Sequence, residues 1–349
     1  MKRRGVNYDV GRVMMGELWR PTFDPKMVHR ELEIIKNDLH CNTIRICGLD
    51  LDRLMTASED ALKQGLEVWL SPEMWDKSQE ETLDYLVKAA TAAEKLRGYY
   101  PQHLVFSVGS ELTLFMQGIV EGNNLMERMG HPAFWEHIKA GLHNKPLNAF
   151  LAKANEAVRQ VFRGNVTYMS VPLETVDWSL FDFVGVDIYR ETRIKDAFGD
   201  MVKRYFAYSK PVIIGEFGCC TYQGAEDAGG MGWAIVDFGA TSLQLNGDYV
   251  RDEGLQAHEL ADMLGILDGV GVDGAFVFTF VSPTLSYNED ARYDLDMASY
   301  SLVKSYADKH GTTYPDMPWE PKESFQAVAE YYATQEAGGS EQESCGGHQ

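Results

Sequence analysis

Two glutamates stand where an apolar, strand-like run gives way to a loop. In "LVFSVGSELT" (residues 104–113) the run ends at Glu111. In "KPVIIGEFGCC" (residues 210–220), Val212, Ile213 and Ile214 lead through a glycine to Glu216. Glycoside cleavage needs two carboxyl groups facing one sugar ring. One protonates the leaving oxygen, and the other attacks the anomeric carbon or activates water. Two like charges held close also separate their proton affinities, which keeps one of them protonated near neutrality. For either glutamate taken alone, a structural ion pair with an arginine explains the position equally well. The chemistry therefore requires that the two strand ends meet.

The elements between them say how they meet. Short β-branched runs alternate with helical patterns along the chain. "RRGVNYD" opens as a strand. "DPKMVHRELEIIKNDLH" carries apolar residues at Val28, Leu32, Ile35 and Leu39, close to a 3.6-residue period, behind Asp24 and Pro25 as start signals. Six further strands follow, most with a helical segment behind them, including a helix opened by a Ser78/Glu81 capping box and one stopped by Gly65. "DGAFVFTFV" then reads as an eighth strand. Strands apolar on both faces belong in a parallel sheet covered by helices. Eight such units predict an α/β fold of the (β/α)₈ barrel type, a single domain over residues 1–334 with extended βα loops. A doubly wound open sheet usually carries a GxGxxG turn after its first strand, and "GVNYDVGRVMMG" has none. In a barrel, the C-terminal strand ends converge on one mouth. Glu111 on strand four and Glu216 on strand seven then face each other across it.

The order of these motifs resembles that of the clan A (β/α)₈ retaining glycoside hydrolases, the superfamily of cellulases, mannanases and β-galactosidases. The resemblance implies that Glu111 is the acid/base and Glu216 the nucleophile. It also implies that Arg45 in "NTIRICG" is the strand-two arginine beside the nucleophile, and that Tyr189 in "VGVDIYR" is the strand-six aromatic that hydrogen-bonds it. Two positions depart from the pattern. Ser110 stands where the superfamily has the asparagine that contacts the sugar 2-hydroxyl, and Phe280 is offered where it has a strand-eight tryptophan. Asn7, Tyr8 and Asp9 after strand one, Glu73 and Trp75 after strand three, and Asp187 on the strand face of Tyr189 are further substrate-binding candidates. Trp233 joins them, on the loop "GAEDAGGMGW" that follows strand seven; among the loop tryptophans, Trp75 and Trp233 are preferred over Trp19, Trp135 and Trp178 as sugar platforms.

The bulk composition narrows the partners. The chain has 349 residues, with 52 acidic against 32 basic and a net charge of −20. Such a surface repels nucleic acid and anionic membranes, so the expected partner is carbohydrate. The basic start "MKRRGVNYDV" lacks an apolar run behind it and does not read as a signal peptide, no stretch is long enough to span a bilayer, and the five cysteines are irregularly spaced. A cytoplasmic protein with buried, reduced thiols is the expectation. No HExxH-like pair occurs, and "YNEDARYDLDMASY" lacks EF-hand spacing, so neither a metal nor a cofactor is expected and that segment reads as a solvated loop. The polar residues 335–349 read as a disordered tail. A non-catalytic carbohydrate-binding barrel is the alternative. An aldolase is disfavoured because no strand-end lysine is seen, and a metallohydrolase because no strand-end histidines are.

Overall fold

Eight parallel strands form a closed barrel: β1 (Arg3–Asp9), β2 (Thr43–Gly48), β3 (Glu67–Pro72), β4 (Leu104–Ser110), β5 (Asn165–Ser170), β6 (Val184–Asp187), β7 (Val212–Phe217) and β8 (Gly274–Val277). The eight runs read from the sequence are the eight staves, so the (β/α)₈ expectation holds. The computed structural model describes residues 1–14, 16–101 and 103–345, with the side chains of 336–345 left aside. Helices α1 (Pro25–Asn37), α2 (Leu51–Lys63), α3 (Gln79–Tyr99), α4 (Asn144–Val161), α5 (Phe198–Lys203) and α6 (Glu253–Val270) follow strands β1 to β4, β6 and β7, and α7 (Glu323–Cys345) closes the chain. The Asp24 N-cap, the Ser78/Glu81 capping box and a left-handed Gly65 all appear as predicted. Between β5 and β6 the connection holds only a short 3₁₀ turn, Trp178–Leu180. The closing helix runs on past residue 334, so the domain boundary expected there is not a break in secondary structure; residues 346–349 of the expected tail lie outside the described residues.

Alternation along the strands sorts the side chains. Val6, Ile44, Val68, Phe106, Val166, Val184 and Ile214 face outward to the helices in one large core. Trp69, Val105, Met169, Phe183, Ile213 and Phe276 form a separate apolar plug inside the barrel. Above that plug the interior turns polar, with Asn7, Arg45, Ser71 and Asp187 all buried. The floor of the mouth is thus a layer of polar groups supported by an apolar layer.

The alternation breaks on two strands. Val186 on β6 pairs with Ile214 on β7, yet the next residue, Asp187, pairs with Glu216, so Gly215 is an extra residue. On β4, Ser107 pairs with Thr167 and Ser110 with Met169, so three steps on β4 match two on β5. Each is a β-bulge, which rotates the residues beyond it. Ile213 faces inward, so regular alternation would send Glu216 outward; the bulge turns it to the mouth. Glycine is required at both places. Gly109 has φ +137°, and a Cβ on Gly215 would lie 2.4 Å from Asp187 Oδ1 and 2.5 Å from Met169 Sδ.

Outside β1, Glu31 of α1 gathers a buried network. It accepts hydrogen bonds from Arg20 Nη2 at 2.6 Å, from Trp319 Nε1 at 2.9 Å and from the Tyr8 hydroxyl. Arg20 and Glu31 are 3% and 1% exposed, so their separation from water is complete. Glu31→Ala leaves the Arg20 charge unpaired and is expected to destabilise the fold by about 3–5 kcal/mol, read from chemical unfolding. A shift below 1 kcal/mol would show that the network contributes little.

Candidate active site

Glu216 sits in β7 with both oxygens occupied. Arg45 Nη1 donates to Oε1 at 2.8 Å, Arg12 Nη2 donates to the same oxygen at 3.1 Å, and the Tyr189 hydroxyl donates to Oε2 at 2.8 Å. Three donors, two of them cationic, converge on one carboxylate and fix its orientation. Arg45 is fully buried and is itself held by Asn7 Oδ1, Ser71 Oγ and Glu73 Oε1. Arg45 and Tyr189 thus both contact Glu216.

Glu111 lies just past β4 in the left-handed region, with φ 51° and ψ 39°. A non-glycine residue holds that conformation only where its surroundings fix it. Here its own N–H donates to Met169 O at 2.8 Å, the next N–H (Leu112) to the Tyr168 hydroxyl at 2.8 Å, and that of Thr113 to Glu174 Oε1 at 3.0 Å. The Glu111 carboxyl opens on the cleft. Oxygens of Glu111, Asp187 and Glu216 all lie within 4.8 Å of one another. Burial raises the Glu111 carboxyl well above the usual carboxylate range; the neighbouring Asp187 and Glu216 add to the shift, and Arg45 opposes it. The pair thus consists of one carboxyl driven toward its protonated form and one carboxylate clamped by cations.

The cleft above this floor has aromatic walls. Trp75 stacks on Phe115 at 4.0 Å with planes 13° apart, and the guanidinium of Arg12 lies over Trp75 at 5.7 Å and over Phe278 at 5.3 Å. Trp233 stands on the opposite loop, held by Tyr300, whose hydroxyl donates to Gly229 O at 2.6 Å and accepts from Gly232 N at 2.9 Å. The loop after strand seven borders the site as expected, and Trp75 and Trp233 both line it.

Other expected binding residues lie elsewhere. Tyr8 has the strand parity of Val6 and points outward to Glu31 and Arg20; it touches no part of the mouth. Phe280 is fully buried on the outer side, edge-on to Trp319 at 5.4 Å, and Phe278, two residues earlier, is the strand-eight aromatic that reaches the cleft. Asp9 caps the turn after β1, accepting the Gly11 and Arg12 N–H groups at 2.7 and 2.8 Å. Asn7 lies beneath the site, donating to Gly215 O at 2.8 Å. Glu73 is the counter-ion of two arginines, at 2.7 Å from Arg12 and 3.3 Å from Arg45, with little surface left for a ligand. Asp187 is 1% exposed; it accepts from Ser110 Oγ at 2.8 Å and lies below Ser110, which does line the cleft. The acidic segment after β8 is solvated only in its first half, where residues 288–293 are exposed; Asp294 and Asp296 are buried and paired with Arg251, and Asp296 also with Lys322.

Arg12 was not anticipated. It is one basic residue in the loop after β1, and only the three-dimensional contact with Glu216 distinguishes it. Cys41, Cys47, Cys219 and Cys220 are free and buried, as expected of the thiols; the Cys345 side chain lies outside the described residues. Among the described residues, no helix is long and apolar enough to cross a membrane.

The chain matches no protein-family model and no curated protein. Its architecture does match solved structures. It is similar to the GH113 β-mannanase from Alicyclobacillus acidocaldarius in complex with ManMIm, with 15% identity, 95% of this chain and 97% of that chain covered, and TM-score 0.60. It is similar to a glycoside hydrolase family 5 enzyme from Prevotella bryantii bound to a xyloglucan tetradecasaccharide, with 13% identity, 95% and 96% covered, and TM-score 0.51. It is also similar to Bacteroides uniformis β-glucuronidase 2, with 14% identity and TM-score 0.57, where 95% of this chain matches 35% of that larger one. At these identities the likeness is one of fold, the (β/α)₈ barrel.

Proposed function

We propose that the protein is a retaining glycoside hydrolase that cleaves a β-linked glycosidic bond in oligosaccharides or glycosides. One observation carries the reading: Glu111 and Glu216, on opposite strand ends, hold carboxyl oxygens within 4.8 Å of each other. Retention uses carboxyl groups about 5–5.5 Å apart, whereas inversion needs about 6.5–9.5 Å to admit a water. In the first step Glu216 attacks the anomeric carbon while the Glu111 proton passes to the leaving oxygen. The C–O bond to the leaving group breaks and a glycosyl ester forms on Glu216. In the second step Glu111, now a carboxylate, takes a proton from water; the water oxygen attacks the anomeric carbon and Glu216 leaves. Arg45, Arg12 and Tyr189 hold Glu216 on line for both steps. Trp75, stacked on Phe115, and Trp233 offer apolar faces to sugar rings. No metal or cofactor enters this chemistry.

A cytoplasmic setting suits the buried reduced thiols and favours short imported glycosides over polymers. Turnover of a panel of nitrophenyl β-glycosides and β-linked oligosaccharides tests the activity, and proton NMR of the first-formed sugar tests its stereochemistry. A β-anomer released first from a β-glycoside is the expected result; an α-anomer released first would reject the double displacement.

A further inference from the structure

The cleft is not lined evenly. Polar side chains gather around Glu216, where Arg12 and Tyr189 donate to its carboxylate. On the β3–β4 side of Glu111 the lining is carbon. The chain leaves Glu111 in the helical turn Leu112–Phe115, and the Phe115 N–H donates back to Glu111 O at 3.1 Å, so Phe115 stands one turn from the acid. Trp75 stacks on it, and the one polar atom of that indole, Nε1, is buried without a hydrogen-bond partner, so it presents no donor to the cleft. Leu125, which opens the short helix Leu125–Gly130, lines the same cavity. Arg128 fixes this wall. Fully buried, it donates to Leu114 O at 2.6 Å and to Gly122 O at 3.1 Å and pairs with Asp76, whose own N–H donates to Phe115 O at 2.7 Å. The residue beside Trp75, the turn that carries Phe115 and the helix that carries Leu125 are thus tied through one side chain, and the fold itself holds the wall in place.

In a double displacement the nucleophile attacks opposite the departing bond, and the acid stands beside the departing oxygen. The leaving group therefore lies on the Glu111 side, against Phe115, Trp75 and Leu125. A sugar placed there would give up water at its hydroxyls to side chains that have no hydrogen bond to return. An alkyl or aryl group there removes apolar surface from water on both partners. We infer that the leaving-group side of the cleft is built for an apolar aglycone, so that the substrates are β-glycosides of alkyl or aryl alcohols rather than chains of sugars. This rests on the glycosidase reading above and narrows it to one class of leaving group.

The test takes the glycone that the nitrophenyl panel selects and compares its methyl, butyl and hexyl β-glycosides, whose leaving alcohols are of nearly equal basicity, with a β-linked disaccharide of the same glycone. From methyl to hexyl, kcat/KM is expected to rise about two- to fourfold per methylene, about 30-fold or more in all. The disaccharide is expected to fall near the methyl glycoside. Affinities for the matching 1-thioglycosides, which resist cleavage, are expected to follow the same order by calorimetry. Phe115→Ser and Leu125→Ser, each shown to be folded by thermal unfolding, are expected to lower the hexyl-to-methyl ratio about tenfold; the wild-type series decides the question even where a variant fails to fold. A wild-type ratio near one, a disaccharide turned over better than the hexyl glycoside, or a ratio unchanged in both folded variants would overturn the inference and leave the hydrolase standing. A wild-type chain that turns over no glycoside would instead remove the glycosidase reading, and the aglycone preference with it.

Discussion

Glu216→Ala is expected to lower kcat on an aryl glycoside by about 10⁴-fold or more while the folded protein still binds sugar. The side chain supplies the attacking oxygen, and no other group among the described residues is clamped in its place by two arginines and a tyrosine. The alanine leaves a space on that face of the anomeric carbon. Azide added to the reaction fills it, attacks the carbon as the aryl oxide departs, and is expected to restore turnover with a glycosyl azide of inverted configuration as product. The two products are distinguishable by NMR. Near-normal hydrolysis in the alanine variant, without azide, would remove Glu216 from the mechanism. Truncation also leaves Arg12 and Arg45 with Asp9, Glu73 and Asp187 as their remaining carboxylates, so the binding measurement is needed to separate lost chemistry from lost structure.

Glu111→Ala is expected to behave differently, and the difference depends on the leaving group. An acid is needed where the departing oxygen is basic, so alkyl glycosides and oligosaccharides should lose about 10²–10⁴-fold. A dinitrophenyl glycoside needs little protonation to leave. Its first step should survive, and the glycosyl ester should then accumulate because no base activates water; a burst of released phenol followed by a slow steady state reports this. The pH profile carries the same signature. Glu111 must be protonated to act, and burial beside Asp187 and Glu216 raises its affinity for the proton. Activity should therefore persist above the usual carboxylate range and fall as pH rises through the raised value. In Glu111→Ala that descending limb should vanish for the dinitrophenyl substrate. An unchanged limb would assign it to another group, with Asp187 the nearest candidate because burial raises it too, aided by Glu216 and opposed by Arg45.

The staves and both glutamates were legible because periodicity and strand-end position are local properties of the chain. Arg45 and Tyr189 were singled out because their order along the strands resembles that of a known superfamily, and both contact Glu216. Tyr8 could have been placed outward from strand parity alone, since it alternates with Asn7 and matches Val6. Phe278 could likewise have been chosen from parity, since it alternates with Val277 and matches the inward Phe276, whereas Phe280 lies beyond the end of β8 and turns outward. Glu73 and Arg12 depend on each other across 61 positions of chain, and no pattern in either neighbourhood announces the pair. The buried Asp294 and Asp296 were read as solvated because a run of carboxylates looks hydrophilic until their cationic partners, distant in sequence, are known.

The extra residue in β7 has a wider consequence. The aim of Glu216 is set by the glycine before it and by how many residues precede that glycine rather than by which apolar ones they are. Shortening the strand by one at Gly215 would hand the carboxylate to the helical layer, and lengthening it would do the same, whereas exchanges among its apolar neighbours leave the aim intact. The nucleophile's direction is in effect a counting rule, insensitive to exchanges among its apolar neighbours and vulnerable to insertion, deletion or loss of the glycine at 215.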